Sequence, residues 1–287
     1  MSTTFQLSTS TSRANPTPKP LKRLTVPLIR DQKHKGSKQK PLVMLTAYTA
    51  RQAQLIDAHC DLILVGDSLA QVIYGLDSTV PVTLEMMANH AAAVVRGSYH
   101  SVVVVDMPFG SYEGSKEQAF ESAAYLLKES GAAAVKLEGG SVMAATVQFL
   151  NQRGIPVMGH VGLTPQAVNV LGGYAARGKN DAEAKKIFED AKSLDQAGAF
   201  AIVIEGVMEP IAAKITKAVK CPTIGIGASA NCDGQVLVLH DMLGITTDFS
   251  PRFLRRYLDL ESQITDAVEQ YCSDVRSKDF PNEEESY

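Results

Sequence analysis

Between about residue 41 and residue 247, short apolar runs alternate with longer stretches whose apolar residues recur every three or four positions. The runs read PLVMLTAY (41–48), DLILVGD (61–67), SVVVVDMP (101–108), AAAVKLEG (132–139), IPVMGHVG (155–162), AFAIVIEG (199–206) and CPTIGIGA (221–228), with GITT (244–247) a weak eighth. Their Val, Ile, Leu and Ala do not alternate with polar residues. That marks strands buried on both faces, as in a parallel sheet covered by helices. The intervening stretches carry helix signals. Ser115 to Gln118 form a capping box before an apolar stripe of Ala119, Phe120, Ala123, Leu126 and Leu127, ended by Gly131. Asp181 is placed to cap a helix whose Ile187, Phe188, Ala191 and Leu194 face inward before Gly198. Pro210 suits the first turn of the next helix.

An internal echo points the same way. GAAAVKLE (131–138) and GAFAIVIE (198–205) share G-A-x-A-x-x-x-E, and each precedes a helical stretch and a similar strand, IPVMGH or CPTIGI. Repeated strand–helix units predict an α/β fold, a single-domain (β/α)8 barrel of the TIM type over residues 41–277. A doubly wound open sheet is the alternative, but no G-x-G-x-x-G follows the first strand to support it.

Residues 1–40 read differently, as a Ser/Thr/Pro-rich extension with Arg13, Lys19, Lys22, Arg23 and Arg30 and no acid before Asp31. Such a leader suits an organelle transit peptide or a solvated tail. Pro16, Pro18 and Pro20 break any amphipathic helix there, which favours the tail. Residues 278–287, KDFPNEEESY, form an acidic tail.

Composition narrows the function. The 287 residues carry a net charge of -3, which argues against nucleic acid as a partner. No apolar run approaches the roughly 20 residues of a membrane span. Cys60, Cys221, Cys232 and Cys272 are scattered, without zinc or disulfide spacing, and fit a reduced, cytoplasmic protein.

Candidate chemistry sits where the runs end. LILVGDS ends in Asp67 and Ser68, VVVVDMP in Asp106, VKLEGG in Lys136 and Glu138, VMGHVG in His160 and AIVIEG in Glu205. Taken singly, each has a structural explanation: a helix cap, a turn, a satisfied histidine or a buried ion pair. In a barrel, however, all these ends converge on one cavity. Asp67, Asp106 and Glu138 offer three carboxylates and no thiolate, the donor set of a hard cation such as Mg2+. Such an ion chelates a 2-oxo acid and acidifies its neighbouring C–H. Lys136 then meets the substrate's negative charge, and Glu205 remains as the base.

Several strings also resemble the ketopantoate hydroxymethyltransferase family: LVGDSL (64–69), YGLDSTVPVTLEMM (74–87), DMPFGSY (106–112), VKLEGG (135–140), GHVGLTPQ (159–166), GGY (172–174), IGIGA (224–228) and DGQVLVLHDMLGI (233–245). The resemblance runs from about Leu42 to Ile245. It implies an Mg2+-dependent (β/α)8 barrel that transfers a hydroxymethyl group from 5,10-methylenetetrahydrofolate to 2-oxo-3-methylbutanoate. The product is 2-dehydropantoate, formed through a Mg-bound enolate on the route to pantothenate and coenzyme A. By position it implies Asp67, Asp106 and Glu138 as metal ligands or their immediate shell, Asp67, Ser68, Asp106 and Lys136 at the keto acid, and Glu205 as proton acceptor. Large, ring-like homo-oligomers are also implied. His160 and His240 fall in family strings without an assigned role, and Val72, Ile73 and Met107 are candidates for an apolar pocket wall. The family commonly reads TAYD after its first strand where this chain has TAYT, and its tail differs from EEESY. A phosphoenolpyruvate- or isocitrate-type lyase is the second reading, because IGIGA lies where barrels build phosphate sites, but no cysteine adjoins the fourth or fifth strand. A barrel that has lost its chemistry is the third, and it requires a missing carboxylate.

Overall fold

In a computed structural model, which describes residues 21–34, 40–248 and 250–287, the apolar runs become eight parallel strands. They are β1 (Leu42–Thr46), β2 (Leu62–Val65), β3 (Val102–Asp106), β4 (Ala134–Glu138), β5 (Val157–Gly162), β6 (Ala201–Glu205), β7 (Thr223–Ile226) and β8 (Gly234–Leu237). Each pairs with the next and β8 returns to β1, so one (β/α)8 barrel closes without a free edge. The eighth strand is GQVL, not GITT. Gly244 instead takes a left-handed φ of 69° to end the short helix Leu239–Leu243. GQVL escapes the apolar pattern because the outward Gln235 is exposed.

Side chains alternate across each strand, so each row has a fixed destination. Leu42, Met44, Leu62, Leu64, Val102, Val104, Ala134, Met158, Ala201, Val203, Ile224 and Val236 pack together and fill the lumen. The outward residues Ile63, Val103, Val135, Leu137 and Ile202 instead join Leu126, Ala191 and Ile215 of the covering helices. Two residues along the same inward rows come Asp106 after Val104, Lys136 after Ala134, His160 after Met158, and Glu205 after Val203, with Glu138 a further two after Lys136. The mixed string VKLE is thus a wall residue and a lumen residue, taken in turn.

The helices largely follow their signals. Ser115 Oγ accepts from Gln118 N at 3.0 Å and opens Lys116–Ser130, which Gly131 ends at a φ of 75°. The return bond of the box falls one residue early, from Gly114 N to Gln118 Oε1 at 3.0 Å. Asp181–Gln196 is capped by Asn180, whose Oδ1 accepts from Glu183 N at 2.9 Å. Asp181 is its first helical residue, where its charge suits the helix dipole.

The expected solvated leader is corrected for the part described. Val26–Arg30 is a helix, with Pro27 in its first turn where a missing N–H costs nothing. Its Ile29 is 1% exposed and joins the lumen cluster from below. Lys33 Nζ then donates to Thr216 O at 2.6 Å and to Asp233 Oδ2 at 2.7 Å, fastening the floor. Residues 1–20, with Arg13, Lys19 and the three prolines, lie outside the described residues. No described helix is long and apolar enough to cross a membrane.

Candidate active site

Above the apolar lumen opens a cavity of about 360 Å³, lined by Asp67, Ser68, Asp106, Lys136, Glu138, His160 and Glu205 among others. Every site residue expected from the sequence is therefore brought to one place. Strand register does the work, pairing Asp106 with Lys136, Glu138 with His160, and Gly162 with Glu205. Gly162 has a φ of 99°, and a Cβ there would stand 2.4 Å from Glu205 O, so only glycine lets β5 close beside that carboxylate.

The polar groups form one chain of contacts. Asp67 N donates to Asp106 Oδ2 at 3.0 Å, and Lys136 Nζ lies 3.0 Å from Asp106 Oδ1. Lys136 Nζ is 3.3 Å from His160 Nδ1, which Glu138 Oε1 approaches to 3.5 Å. His160 Nε2 faces Glu205 Oε2 at 3.2 Å. Ser68 Oγ stands 2.8 Å from the Tyr48 hydroxyl. Glu205, with a side chain 20% exposed, is more open than Glu138 or Asp106.

Four carboxylates thus face two basic groups, and the charges are unbalanced. Burial pushes Asp67 up to about 6, with the charge of Glu138 adding to it. Burial likewise pushes Asp106 up to about 6, against the pull of Lys136. For Lys136 burial acts to lower the ammonium's affinity for its proton, but Asp106, Glu138 and Asp67 outweigh it and raise it. His160 is held between opposing effects. Burial and Lys136 lower it, while Glu138 and Glu205 prevail and push it up to about 9. The 3.3 Å contact with Lys136 by itself suits a neutral Nδ1. Two flanking carboxylates decide for the imidazolium, because even with both bases charged the site keeps an excess of two negative charges.

That excess is the main fit to a divalent cation. Asp106 Oδ1 is buried and receives no aligned hydrogen bond, its Lys136 contact being off-axis. Asp67 and Asp106 are adjacent hard-oxygen donors, and two carboxylates plus water and substrate are a usual Mg2+ set. The expected grip of three carboxylates is not preassembled. Among the described residues no three His, Cys, Asp or Glu side chains stand together as a metal cage. Glu138 Oε2 instead takes the Gln166 N–H at 3.0 Å and its Oε1 faces His160.

Gln166 is the residue the sequence concealed. Buried at 5% exposure, its Nε2 donates to Asp67 Oδ2 at 2.8 Å and to Met107 O at 2.9 Å. Its Oε1 accepts from the Tyr112 hydroxyl at 2.6 Å, and that hydroxyl accepts from Glu138 N at 3.1 Å. A neutral amide in the single 3-10 turn Pro165–Ala167 gives no chemical signal of its own. Asp241 also lines the cavity, and burial pushes it up to about 6. Of the apolar candidates Val72 lines the cavity, whereas Met107 is fully buried and Ile73 is 38% exposed outside the lining. His240 is buried against Tyr48, with ring centroids 5.4 Å apart. No cysteine lines the cavity.

Comparison with known proteins agrees with this geometry. The profile of a family described as ketopantoate hydroxymethyltransferase matches residues 23–283. The chain is 74% identical, over all of its length and 99% of the other, to a 3-methyl-2-oxobutanoate hydroxymethyltransferase of Erythrobacter litoralis. It is 71% identical over the same shares to one of Novosphingobium aromaticivorans. Among solved structures, 2,3-dimethylmalate lyase, a PEP mutase/isocitrate lyase superfamily member, superimposes with a TM-score of 0.59 at 15% identity over 88% of this chain and 86% of the other. Phosphonopyruvate hydrolase, solved with oxalate and Mg++, gives 0.58 at 11% identity over 91% and 93%. At these identities the structural likeness speaks for the fold alone.

Proposed function

The chain belongs to the ketopantoate hydroxymethyltransferase family and is a hydroxymethyltransferase of pantothenate synthesis, and we propose that 5,10-methylenetetrahydrofolate, 2-oxo-3-methylbutanoate and Mg2+ are what its site takes. The observation that carries this reading is the convergence of Asp67, Asp106, Lys136, Glu138, His160 and Glu205 on one cavity with surplus negative charge.

Asp67 and Asp106 would hold the ion, with Glu138 joining through its water shell. Bound there, the ion supplies polarisation of the 2-oxo carbonyl and neutralises the neighbouring carboxylate. Lys136, kept charged by three carboxylates, compensates the oxyanion that develops as C3 loses its proton. Glu205 takes that proton, and the His160 imidazolium 3.2 Å away fixes the orientation of its carboxylate. The C3 electron pair would form the new bond to the folate-borne methylene as one of its two C–N bonds opens, that nitrogen taking up a proton. Water then displaces the second folate nitrogen, which leaves with a proton, and supplies the hydroxyl of 2-dehydropantoate. Ser68, oriented by Tyr48, offers a hydroxyl to the keto acid. Leu64, Val72, Val203, Ile226 and Val236 give the wall an apolar side for the two methyl groups on C3.

The test is formation of 2-dehydropantoate from the two substrates with and without EDTA. Product should appear with Mg2+, vanish with EDTA and return on adding Mg2+. No product under any metal condition ends the proposal.

A further inference from the structure

The ion and the keto acid do not use the whole cavity. Asp67, Ser68, Asp106, Lys136 and Glu138 all belong to β2, β3, β4 and the turns after them. A 2-oxo acid chelated there uses its carboxylate and keto oxygens, so C3 is turned away from the ion, toward Glu205 at the end of β6. Beyond Glu205 the cavity has another side, built from β8 and the segment that follows it. Leu237, Val238, Thr246, Pro251, Phe253 and Leu254 line it, and its charged residue is Asp241.

Two features of this side point to a ligand. Asp241 is half-buried, and among the described residues no hydrogen bond reaches its carboxylate. Only the charge of Arg256 opposes its burial. Acceptors withdrawn from water are ordinarily paired, so this one is left for a donor from outside the chain. Phe253 packs directly on Gly227, just after β7. Gly227 has a φ of 59°, and a Cβ there would stand 2.7 Å from Phe253 Cδ1, so only glycine lets the ring lie so close. With 43% of the residue exposed, Phe253 keeps aromatic surface to offer the cavity. An aromatic surface, apolar neighbours and an acceptor-only carboxylate suit a flat heterocycle with adjacent N–H donors.

We propose that this side of the cavity is the pterin subsite of the folate donor, with Asp241 accepting from N3–H and the 2-amino group while Phe253 packs on the ring. The pyrimidine edge of a reduced pterin carries those two donors side by side, and a carboxylate accepts both as it does from the fork of an arginine. Held by that edge, the bicycle presents its other ring, whose nitrogen carries the methylene, toward Glu205 and C3. The inference rests on the donor reading given above. Asp241 serves binding of the donor and takes no part in removing the C3 proton.

Calorimetric titration of tetrahydrofolate into protein loaded with Mg2+ and 2-oxo-3-methylbutanoate tests it, because the donor without its methylene binds and cannot react. Asp241→Asn turns an N–H toward the pterin donors, and Asp241→Ala removes the acceptor. Both should weaken tetrahydrofolate by about tenfold or more. The decisive readout is recognition of the amino group. 2-Desamino-2-methyltetrahydrofolate lacks it and should bind the wild type about tenfold more weakly than tetrahydrofolate, yet bind each variant within about twofold of tetrahydrofolate. A wall that had merely shifted would leave that discrimination in place. C3 deuterium exchange, which needs no folate, should persist in both variants. Equal binding of tetrahydrofolate by wild type and variants, or undiminished discrimination in the variants, overturns the subsite and leaves the donor reading standing. Exchange lost in both variants puts Asp241 in the enolising half and overturns the subsite as well. A wild type that binds no tetrahydrofolate overturns the donor reading and the subsite together.

Discussion

Floor and mouth of this barrel are the two ends of the same rows of side chains, yet they follow opposite rules. At the floor Ile29, Leu42, Leu62 and Val102 are at most 2% exposed and entirely apolar. At the mouth Asp106 and His160 are just as buried, and Lys136 and Glu138 nearly so. Burial of a large apolar side chain favours folding by about 1.5–3 kcal/mol. Burial of an ionisable group costs free energy unless partners compensate, and here the compensation is partial. The lumen therefore separates its tasks along its length: the lower rows hold the barrel shut, and the upper rows hold groups in states that water would not allow.

The most damaging single change should be at the mouth and leave the floor untouched. Glu205→Gln removes the proposed base while keeping the side chain's shape. C3 deuterium exchange of the keto acid, followed by NMR, should fall about 10³-fold, within the usual range for loss of a general base. Keto-acid binding and the unfolding midpoint should stay near wild type. Normal exchange would take Glu205 out of the reaction. The converse break is Ile29→Ala, which should cost about 2–4 kcal/mol in urea unfolding with kcat unchanged. An unaltered midpoint would return Val26–Arg30 to the status of a loose leader.

A subtler change makes the two ends more alike. Asp67 in the folded chain titrates near 6, above its ordinary carboxylate value, so the fold holds the proton more tightly than the unfolded chain does. Its contribution to stability is complete below the unfolded value and is lost as pH rises through 6. In the metal-free protein above pH 6, Asp67 therefore weakens the fold. Asp67→Asn keeps an oxygen for Gln166 Nε2 and drops the charge. It should stabilise the EDTA-treated protein by about 1–3 kcal/mol at pH 8, and by almost nothing at pH 4. Mg2+ should raise the unfolding temperature of the wild type and leave that of the variant unchanged. Equal stability of variant and wild type at pH 8 would mean that Asp67 carries no electrostatic strain.

This contrast also explains what the sequence disclosed. Strands β1 to β7 are legible because most are covered by lumen packing on one side and helices on the other, which demands continuous Val, Ile and Leu. Lys136, Glu138, His160 and Glu205 are legible because they interrupt or end such runs. β8 is not, since its outer wall lacks a covering helix and Gln235 faces out. Nor is the floor helix, where Arg23 and Arg30 surround a single buried Ile29. Gln166 is hidden for another reason. Its importance lies in ties to Asp67, Met107, Tyr112 and Glu138, three stretches of chain that only the closed barrel brings within reach.

The smallest expected effect concerns Thr49, where the family pattern expected in the sequence analysis has an aspartate and this chain reads TAYT. Thr49 is the N-cap of Ala50–Ile56, and its Oγ1 accepts from Gln52 N at 3.2 Å. The Gln52 side chain in turn accepts from Tyr48 N at 2.9 Å, which holds in place the tyrosine that orients Ser68. Aspartate and threonine both supply an oxygen for a helix N-terminus and differ little as caps. The position thus serves the scaffold below Ser68 without touching the cavity. Thr49→Asp should shift stability by less than about 0.5 kcal/mol and leave KM and kcat within twofold. A tenfold gain in kcat would instead give the acid at this position a part in the reaction, and the boundary drawn here between scaffold and mouth would have to move outward by one residue.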